Sequence, residues 1–175
     1  MSTDNALPAA ALIASDRDGG FAFTAAERAA IEHEMSHYED GRAASIGALK
    51  IVQESRGWVP DEAIAAIGRL IGIPASDVEG VATFYSLIFR QPVGRHVIKL
   101  CDSIACFLTG YDALTEALRA ELGIDFGQTT ADGRFTLLPI CCLGNCDKGP
   151  TLMIDDDLHG PVEPSGVRAL LEAYP

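Results

Sequence analysis

Five cysteines carry the most distinctive chemistry of this sequence, and all of them fall between positions 101 and 146. Four intervening residues separate Cys101 from Cys106, and three separate Cys142 from Cys146. Each pair follows a segment with the pattern of a β-strand, so strand ends lying side by side would bring four thiolates together. A [2Fe–2S] cluster needs four thiolates, two for each iron, and the spacing favours such a site. The candidate ligands are Cys101, Cys106, Cys142 and Cys146.

Two other uses of paired cysteines stay open on spacing alone. Structural zinc also takes four cysteines, although zinc ribbons favour spacers of two residues rather than the three and four found here. Disulfides are a weaker alternative, because they are rare in reducing compartments. A thiol-exchange centre needs C-x-x-C, and the sequence contains none.

Cys141 makes the register of the second pair ambiguous. Either Cys141 or Cys142 could pair with Cys146, with a spacer of four or three residues. Adjacent residues of an extended segment point to opposite sides, so only one of the two should face the metal. The other is expected to pack as a small apolar side chain or to act as a redox-sensitive neighbour. Gly144 should let the backbone turn its N–H groups toward sulfur.

Composition and motifs argue against several functions. The formal net charge of −12 disfavours nucleic acids and anionic membranes as partners. No apolar stretch approaches the roughly 20 residues that span a bilayer, and the short apolar piece 6–14 lacks the basic residues of a signal peptide. We therefore expect a cytoplasmic chain without direct membrane insertion. Because G-x-G-x-x-G and P-loop motifs are absent, neither NADH nor flavin is expected to bind this chain alone.

Hydrophobic patterning predicts an α+β protein in three parts. Residues 1–22 have the composition of a flexible arm, residues 23–92 predict a small helical bundle, and residues 93–175 predict a thioredoxin-like domain. The bundle should contain four helices beginning near Thr24, Ala44, Pro60 and Pro74, the first at a capping box with Glu27 and the last running into Val81. The side chains expected to be buried in the first two helices are Ile31, Met35, Tyr38, Ile46, Leu49 and Val52.

The third part alternates strand and helix patterns. Strands are predicted at 96–100 and 135–140, with a helix over 111–122 between them, and both cysteine pairs are expected in loops at the strand ends. A hairpin of 151–154 and 160–162 and a closing helix over 165–173 should follow. This order is compatible with a sheet that has helices packed against it.

The segment from His33 to His37 spells H-E-x-x-H, the signature of zinc metalloproteases. At about 100° per residue, both histidines fall opposite the predicted buried stripe of their helix. They are therefore predicted to face solvent, and no catalytic residue is assigned.

Longer motifs resemble the 24-kDa-type [2Fe–2S] subunit family of NADH:quinone oxidoreductases (complex I), whose bacterial members are the E-type subunits. The matching segments are Leu-Pro-Ile-Cys-Cys-Leu-Gly-Asn-Cys-Asp-Lys-Gly-Pro at 138–150, Val-Glu-Gly-Val-Ala-Thr-Phe-Tyr at 78–85, Arg-Ala-Ala-Ser-Ile at 42–46 and Gly-Trp-Val-Pro at 57–60. The resemblance covers roughly residues 24–174. The family pattern Cys-Leu-Gly-x-Cys implies Cys142 as the ligand and leaves Cys141 outside the set.

The resemblance implies a thioredoxin-like ferredoxin domain with one [2Fe–2S] cluster that exchanges single electrons with FMN. FMN and NAD would be bound by a partner flavoprotein, and neighbouring iron–sulfur subunits of a peripheral arm are the other expected partners. The chain would then be a non-catalytic redox subunit on the cytoplasmic side of the inner membrane. A homologous diaphorase subunit of an NAD-linked formate dehydrogenase or hydrogenase is the alternative that the residues leave open.

Overall fold

The structure, a computed structural model, describes residues 20–175. The chain divides into two compact units, Met1–Pro92 and Val93–Pro175. The arm predicted for residues 1–22 lies outside the described residues except for 20–22. Within the described part, every helix falls short of the length and apolar character needed to cross a membrane.

In the described part of the first unit, four α-helices enclose one apolar core. They are α1 (Ala25–Met35), α2 (Ser45–Arg56), α3 (Asp61–Ile71) and α4 (Ala75–Phe84), with a 3-10 turn at Gly41–Ala44 before α2. The predicted capping box starts α1: the Thr24 hydroxyl accepts the N–H of Glu27, and the Glu27 carboxylate accepts the N–H of Thr24. Gly57 ends α2 in the left-handed conformation, which costs glycine little.

Two of the side chains predicted for this core are exposed. Tyr38 is 45% exposed because α1 ends at Met35, and its hydroxyl donates to the Glu34 carboxylate. Ile46 is 36% exposed, because the inward face of α2 also takes in the small residues Ser45 and Ala48. The prediction was correct for the other buried positions of these helices, which are Ile31, Leu49 and Val52, while Met35 packs against the core partly buried. The fourth helix extends to Phe84, beyond its predicted end.

A buried ion pair ties α1 to α2. The Glu27 carboxylate is 3% exposed and accepts two hydrogen bonds of 2.7 Å from the Arg56 guanidinium, which also donates to the Ala22 carbonyl. The guanidinium lies over the Phe21 ring, 4.2 Å from its centroid. Burial raises the pKa of Glu27, but the bonds from Arg56 and the Thr24 N–H outweigh it, so the net pKa is lowered.

Glu27→Gln is expected to lower the free energy of unfolding by about 2–3 kcal/mol near neutral pH, because it leaves the Arg56 charge without its partner. Since the pKa of Glu27 is lower in the folded state, the stabilisation by its ion pair is present above the unfolded-state pKa of about 4.3. It is lost as the pH falls through the folded-state pKa. Urea unfolding of wild type and variant at neutral and acidic pH measures this stabilisation. The difference between wild type and variant should shrink in acid.

Glu32→Gln is the matched control for that measurement. It removes an exposed carboxylate of the same helix, 3.8 Å from the Arg28 guanidinium. Exposed pairs contribute little, so the expected change is below about 0.5 kcal/mol. Equal losses in the two variants at neutral pH would contradict the role given to Glu27.

The second unit is a four-stranded sheet with helices packed against it. Its strands are β1 (His96–Cys101), β2 (Phe135–Ile140), β3 (Leu152–Ile154) and β4 (Asp157–His159), in the order β2-β1-β3-β4. Its helices are α5 (Ile104–Thr109), α6 (Tyr111–Leu122) and α7 (Val167–Glu172). β1 and β2 run parallel, and the other neighbouring strands are antiparallel. Together with the helical first unit, this architecture confirms the predicted α+β class.

Three details of this unit differ from the prediction. The second hairpin strand is Asp157–His159 rather than 160–162, because the turn contains only Asp155 and Asp156 and Ile154 already pairs with Asp157. Asp155 has a φ of 51°, a left-handed conformation that aspartate tolerates better than most residues. The closing helix starts with a 3-10 turn at Pro164–Gly166. Helix α5 was not predicted at all.

Candidate metal centre

The first cysteine pair is held by the end of β1 and by α5. Cys101 is the last residue of β1, and its N–H donates to the Thr151 carbonyl at 3.1 Å. Cys106 lies inside α5, so the prediction of a loop is wrong for this residue. Both side chains are buried, and Cys101 lies close enough to Cys106 to raise the pKa of that thiol further, after burial. A strand end and a helix therefore fix this pair.

The second pair lies in the loop that follows β2. Because β1 and β2 are parallel and Cys101 pairs with Ile140, this loop leaves the sheet next to Cys101. Cys142 and Cys146 are both exposed, and Cys146 begins a 3-10 turn that ends at Lys148. The neighbouring Cys141 takes part through its backbone carbonyl, which accepts a hydrogen bond from the Cys101 thiol at 3.8 Å, while its own side chain is exposed.

The structure places the four predicted ligands near one another, at the edge of the sheet where β1 and β2 end. The thiols lie close enough to change one another's pKa values: Cys101 acts on Cys106, and Cys142 and Cys146 act on each other. All five cysteines are free thiols. The role of the four as ligands stays a prediction.

Hydrogen bonds and burial give the thiols different acidities. The Gly144 N–H, 3.4 Å from the Cys142 sulfur, is the largest cause that lowers the pKa of Cys142, followed by the thiol of Cys146. Gly144 reaches this position with a φ of 77°, as a residue without Cβ can. Burial, followed by the contact with Cys101, raises the pKa of Cys106, and the contact with Cys142 is the main cause that raises the pKa of Cys146. Thiolate character is therefore favoured most clearly at Cys142.

The donor set fits a binuclear iron–sulfur cluster. Two cysteines at the end of β1 and in α5, with two more in the loop after β2, match in number a core in which each iron takes two cysteine sulfurs. Backbone N–H groups aimed at cysteine sulfur, as from Gly144 to Cys142, stabilise the thiolate form that binds metal. Across residues 20–175, no group of three or more His, Cys, Asp or Glu side chains is already arranged to hold a metal ion.

The histidines of the H-E-x-x-H segment lie in the other unit and are exposed, as predicted. His33 belongs to α1, but His37 lies beyond the end of that helix. Their ring centroids are 4.7 Å apart, and the intervening Glu34 accepts a hydrogen bond from the Tyr38 hydroxyl.

An apolar surface next to the first cysteine pair was missed by sequence reasoning. The outer face of α5 carries Ile104, Phe107 and Leu108, which are 79%, 55% and 78% exposed. We call these three residues the α5 patch. Their spacing of i, i+3 and i+4 is a helical stripe and could have revealed the helix. In the first unit, Phe84 is also exposed, at 79%.

Comparison with known proteins agrees with this architecture. Residues 31–175 match the family of thioredoxin-like [2Fe–2S] ferredoxins. The chain is 68% identical over 163 residues to the E-type subunit of NADH-quinone oxidoreductase from Pseudomonas aeruginosa, covering 93% of this chain and 96% of the relative. It is 68% identical over 154 residues to the corresponding subunit from Escherichia coli K12, covering 88% of this chain and 93% of the relative.

A solved structure shares the fold at lower identity. An NAD+-reducing [NiFe]-hydrogenase in the air-oxidized state superposes with a TM-score of 0.61 and 26% identity over 72% of this chain, which spans only 22% of the hydrogenase chain. The family match confirms the predicted thioredoxin-like ferredoxin domain, and the relatives confirm the resemblance found in the motifs. The chain therefore belongs to the thioredoxin-like [2Fe–2S] ferredoxin family, and within it to the E-type subunits of NADH-quinone oxidoreductases.

Proposed function

We propose that this chain is an electron-transfer subunit of NADH:quinone oxidoreductase that exchanges single electrons with the FMN of a partner flavoprotein. The observation that carries the proposal is that the end of β1, which holds Cys101 and leads into α5 with Cys106, lies beside the start of the loop after β2, which holds the second pair. Membership of the ferredoxin family supports a [2Fe–2S] cluster as the group held there. The proposed ligands are Cys101, Cys106, Cys142 and Cys146.

In this proposal the second unit, Val93–Pro175, holds the redox centre. When bound, the cluster supplies a one-electron redox couple. The four cysteines bind it as thiolates, and the Gly144 N–H stabilises negative charge on the Cys142 sulfur. Burial of Cys101 and Cys106 keeps water from that side of the site. Because the sequence has no dinucleotide or P-loop motif, NADH oxidation and flavin binding are assigned to the partner, and this subunit is non-catalytic.

The α5 patch is the proposed contact with the flavoprotein. The helix that holds Cys106 inward presents Ile104, Phe107 and Leu108 outward, and exposed apolar groups of this kind are typical of protein contacts. Electron transfer weakens steeply with distance, so a contact beside a cluster ligand suits the function. Neighbouring iron–sulfur subunits would complete a peripheral arm on the cytoplasmic side of the inner membrane.

Visible absorption and EPR spectroscopy test the cluster. The purified full-length chain is expected to be coloured, to contain about two irons and two sulfides, and to give an EPR signal after reduction with dithionite. The reason is that four thiolates from two chain segments hold one binuclear core. A colourless, EPR-silent chain that contains zinc would contradict the proposal.

A second candidate is a diaphorase subunit of an NAD-linked hydrogenase or formate dehydrogenase. The structural match to an NAD+-reducing [NiFe]-hydrogenase favours it, whereas the relatives at 68% identity favour the quinone-linked enzyme. Purification of the native complex separates the two. Membrane subunits that reduce quinone support the first candidate, and a subunit that oxidises hydrogen or formate supports the second.

A further inference from the structure

Thr151 is buried and is hydrogen-bonded both to Cys101 of the first cysteine pair and to the turn that carries Cys146 of the second. The residue is 1% exposed. Its carbonyl accepts the N–H of Cys101 at 3.1 Å. Its hydroxyl donates to the Lys148 carbonyl at 2.7 Å and accepts from the Asn145 side-chain amide at 3.2 Å. One residue therefore contacts the first pair and the turn that carries the second.

The turn bound by the Thr151 hydroxyl is the one that presents Cys146. Asn145 directly precedes this 3-10 turn and Lys148 ends it, and the Lys148 N–H donates to the Asn145 carbonyl at 3.0 Å. The hydroxyl thus binds both ends of a short segment whose first residue is an exposed candidate ligand. A β-branched side chain with few rotamers holds such bonds in one geometry.

Gly160, the residue after β4, lies against the same turn. A methyl group at Gly160 would lie 2.5 Å from the Lys148 carbonyl oxygen, 2.5 Å from the Thr151 hydroxyl and 2.7 Å from the Asn145 amide nitrogen. Contacts this short force atoms to shift, so the close approach requires glycine. We call Asn145, Lys148, Thr151 and Gly160 the Thr151 brace.

We propose that the Thr151 brace orders the turn of Cys146 before metal binds, which makes Thr151 a positioning residue for the cluster although it supplies no ligand. The idea rests on the proposed function for the presence of a cluster. A ligand on an exposed loop loses conformational entropy when it binds metal, and a turn that is already ordered loses less. The two hydrogen bonds of the buried Thr151 hydroxyl keep the turn ordered when no metal is bound.

Hydrogen exchange in the cluster-free, full-length chain tests the brace directly. Thr151→Val is nearly isosteric and removes both hydroxyl bonds, whereas Thr151→Ser keeps the hydroxyl. Amides of residues 142–149 are expected to exchange about five- to tenfold faster in the valine variant and within about twofold of wild type in the serine variant. In the cluster-loaded chain, bleaching by an iron chelator should follow the same order. Wild-type rates in the valine variant would overturn the proposal.

Thr115→Val is the matched control for the hydroxyl. Thr115 is also buried, but its hydroxyl donates to the Tyr111 carbonyl within α6, on neither cysteine loop. This variant should leave both exchange and bleaching unchanged. If it accelerates them as much as Thr151→Val does, the effect is a general loss of stability and the proposal fails.

Gly160→Ala tests the brace without removing the hydroxyl, and it decides the question if Thr151→Val does not fold. Its added methyl group should displace the Lys148 carbonyl and speed exchange in residues 142–149. Gly166→Ala is its control, because a methyl group there meets nothing within 4 Å. Equal exchange in these two variants would overturn the brace. A wild-type chain that binds no cluster would instead contradict the proposed function, and the exchange experiment would still test the brace.

Discussion

Cys142→Ser is expected to abolish the [2Fe–2S] EPR signal or reduce it below about a tenth of wild type, whereas Cys141→Ser is expected to retain it. The Cys142 sulfur accepts the Gly144 N–H, and it lies close enough to Cys146 and Cys101 for both thiols to lower its pKa further. Cys141 contributes a backbone carbonyl, and serine keeps that carbonyl. The two substitutions are chemically identical and adjacent, so each controls for the other.

Iron and sulfide analysis, with EPR after dithionite reduction, measures both variants under the same reconstitution conditions. Thermal unfolding of the two cluster-free variants should be similar, because both side chains are exposed. Loss of the cluster in Cys141→Ser together with its retention in Cys142→Ser would show that the loop binds in the other register, with a spacer of four residues before Cys146.

The meeting of the two cysteine pairs could be predicted because it depends on strong local patterns. One apolar strand ends at Cys101 and the other directly before Cys141, and when such strands pair in parallel their ends lie at the same edge of the sheet. The capping box at Thr24 and the glycine at the end of α2 are likewise encoded within a few residues. The longer motifs identified the family, because the cysteine spacing alone left a structural zinc site as an alternative.

Other features depend on contacts that a single stretch of sequence does not reveal. Helix α5 has only six residues, so its apolar stripe spans little more than one turn, and its N-cap residue, Ser103, makes no side-chain capping hydrogen bond. The hairpin register was missed because Asp157 is a poor strand former that nevertheless pairs with Ile154. The role of Thr151 arises from bonds to residues as distant as Cys101, so no local signal predicts it.

The double substitution Ile104→Gln with Leu108→Gln is expected to prevent stable assembly with the flavoprotein while leaving the cluster in place. Both side chains lie on the outer face of α5 and are largely exposed in the isolated chain, so their loss should cost little stability. In a contact with the flavoprotein, each of these two residues would bury an apolar side chain. Glutamine is a good helix former, so the substitutions should leave α5 folded. A loss of about 2 kcal/mol corresponds to roughly thirtyfold weaker binding. Affinity capture of the flavoprotein by the reconstituted chain measures it.

Leu158→Gln is the matched control, because Leu158 is an exposed leucine (45%) on strand β4 of the same unit. It should bind the flavoprotein as wild type does, and all three proteins should show the same EPR signal. Wild-type binding by the double variant would exclude the α5 patch as the docking site. The exposed Phe84 and Leu87 of the first unit would then be the next surface to substitute. Reduced binding with an unchanged EPR signal would instead show that docking and cluster binding are separate, because α5 would still supply Cys106 to the cluster but would no longer bind the flavoprotein.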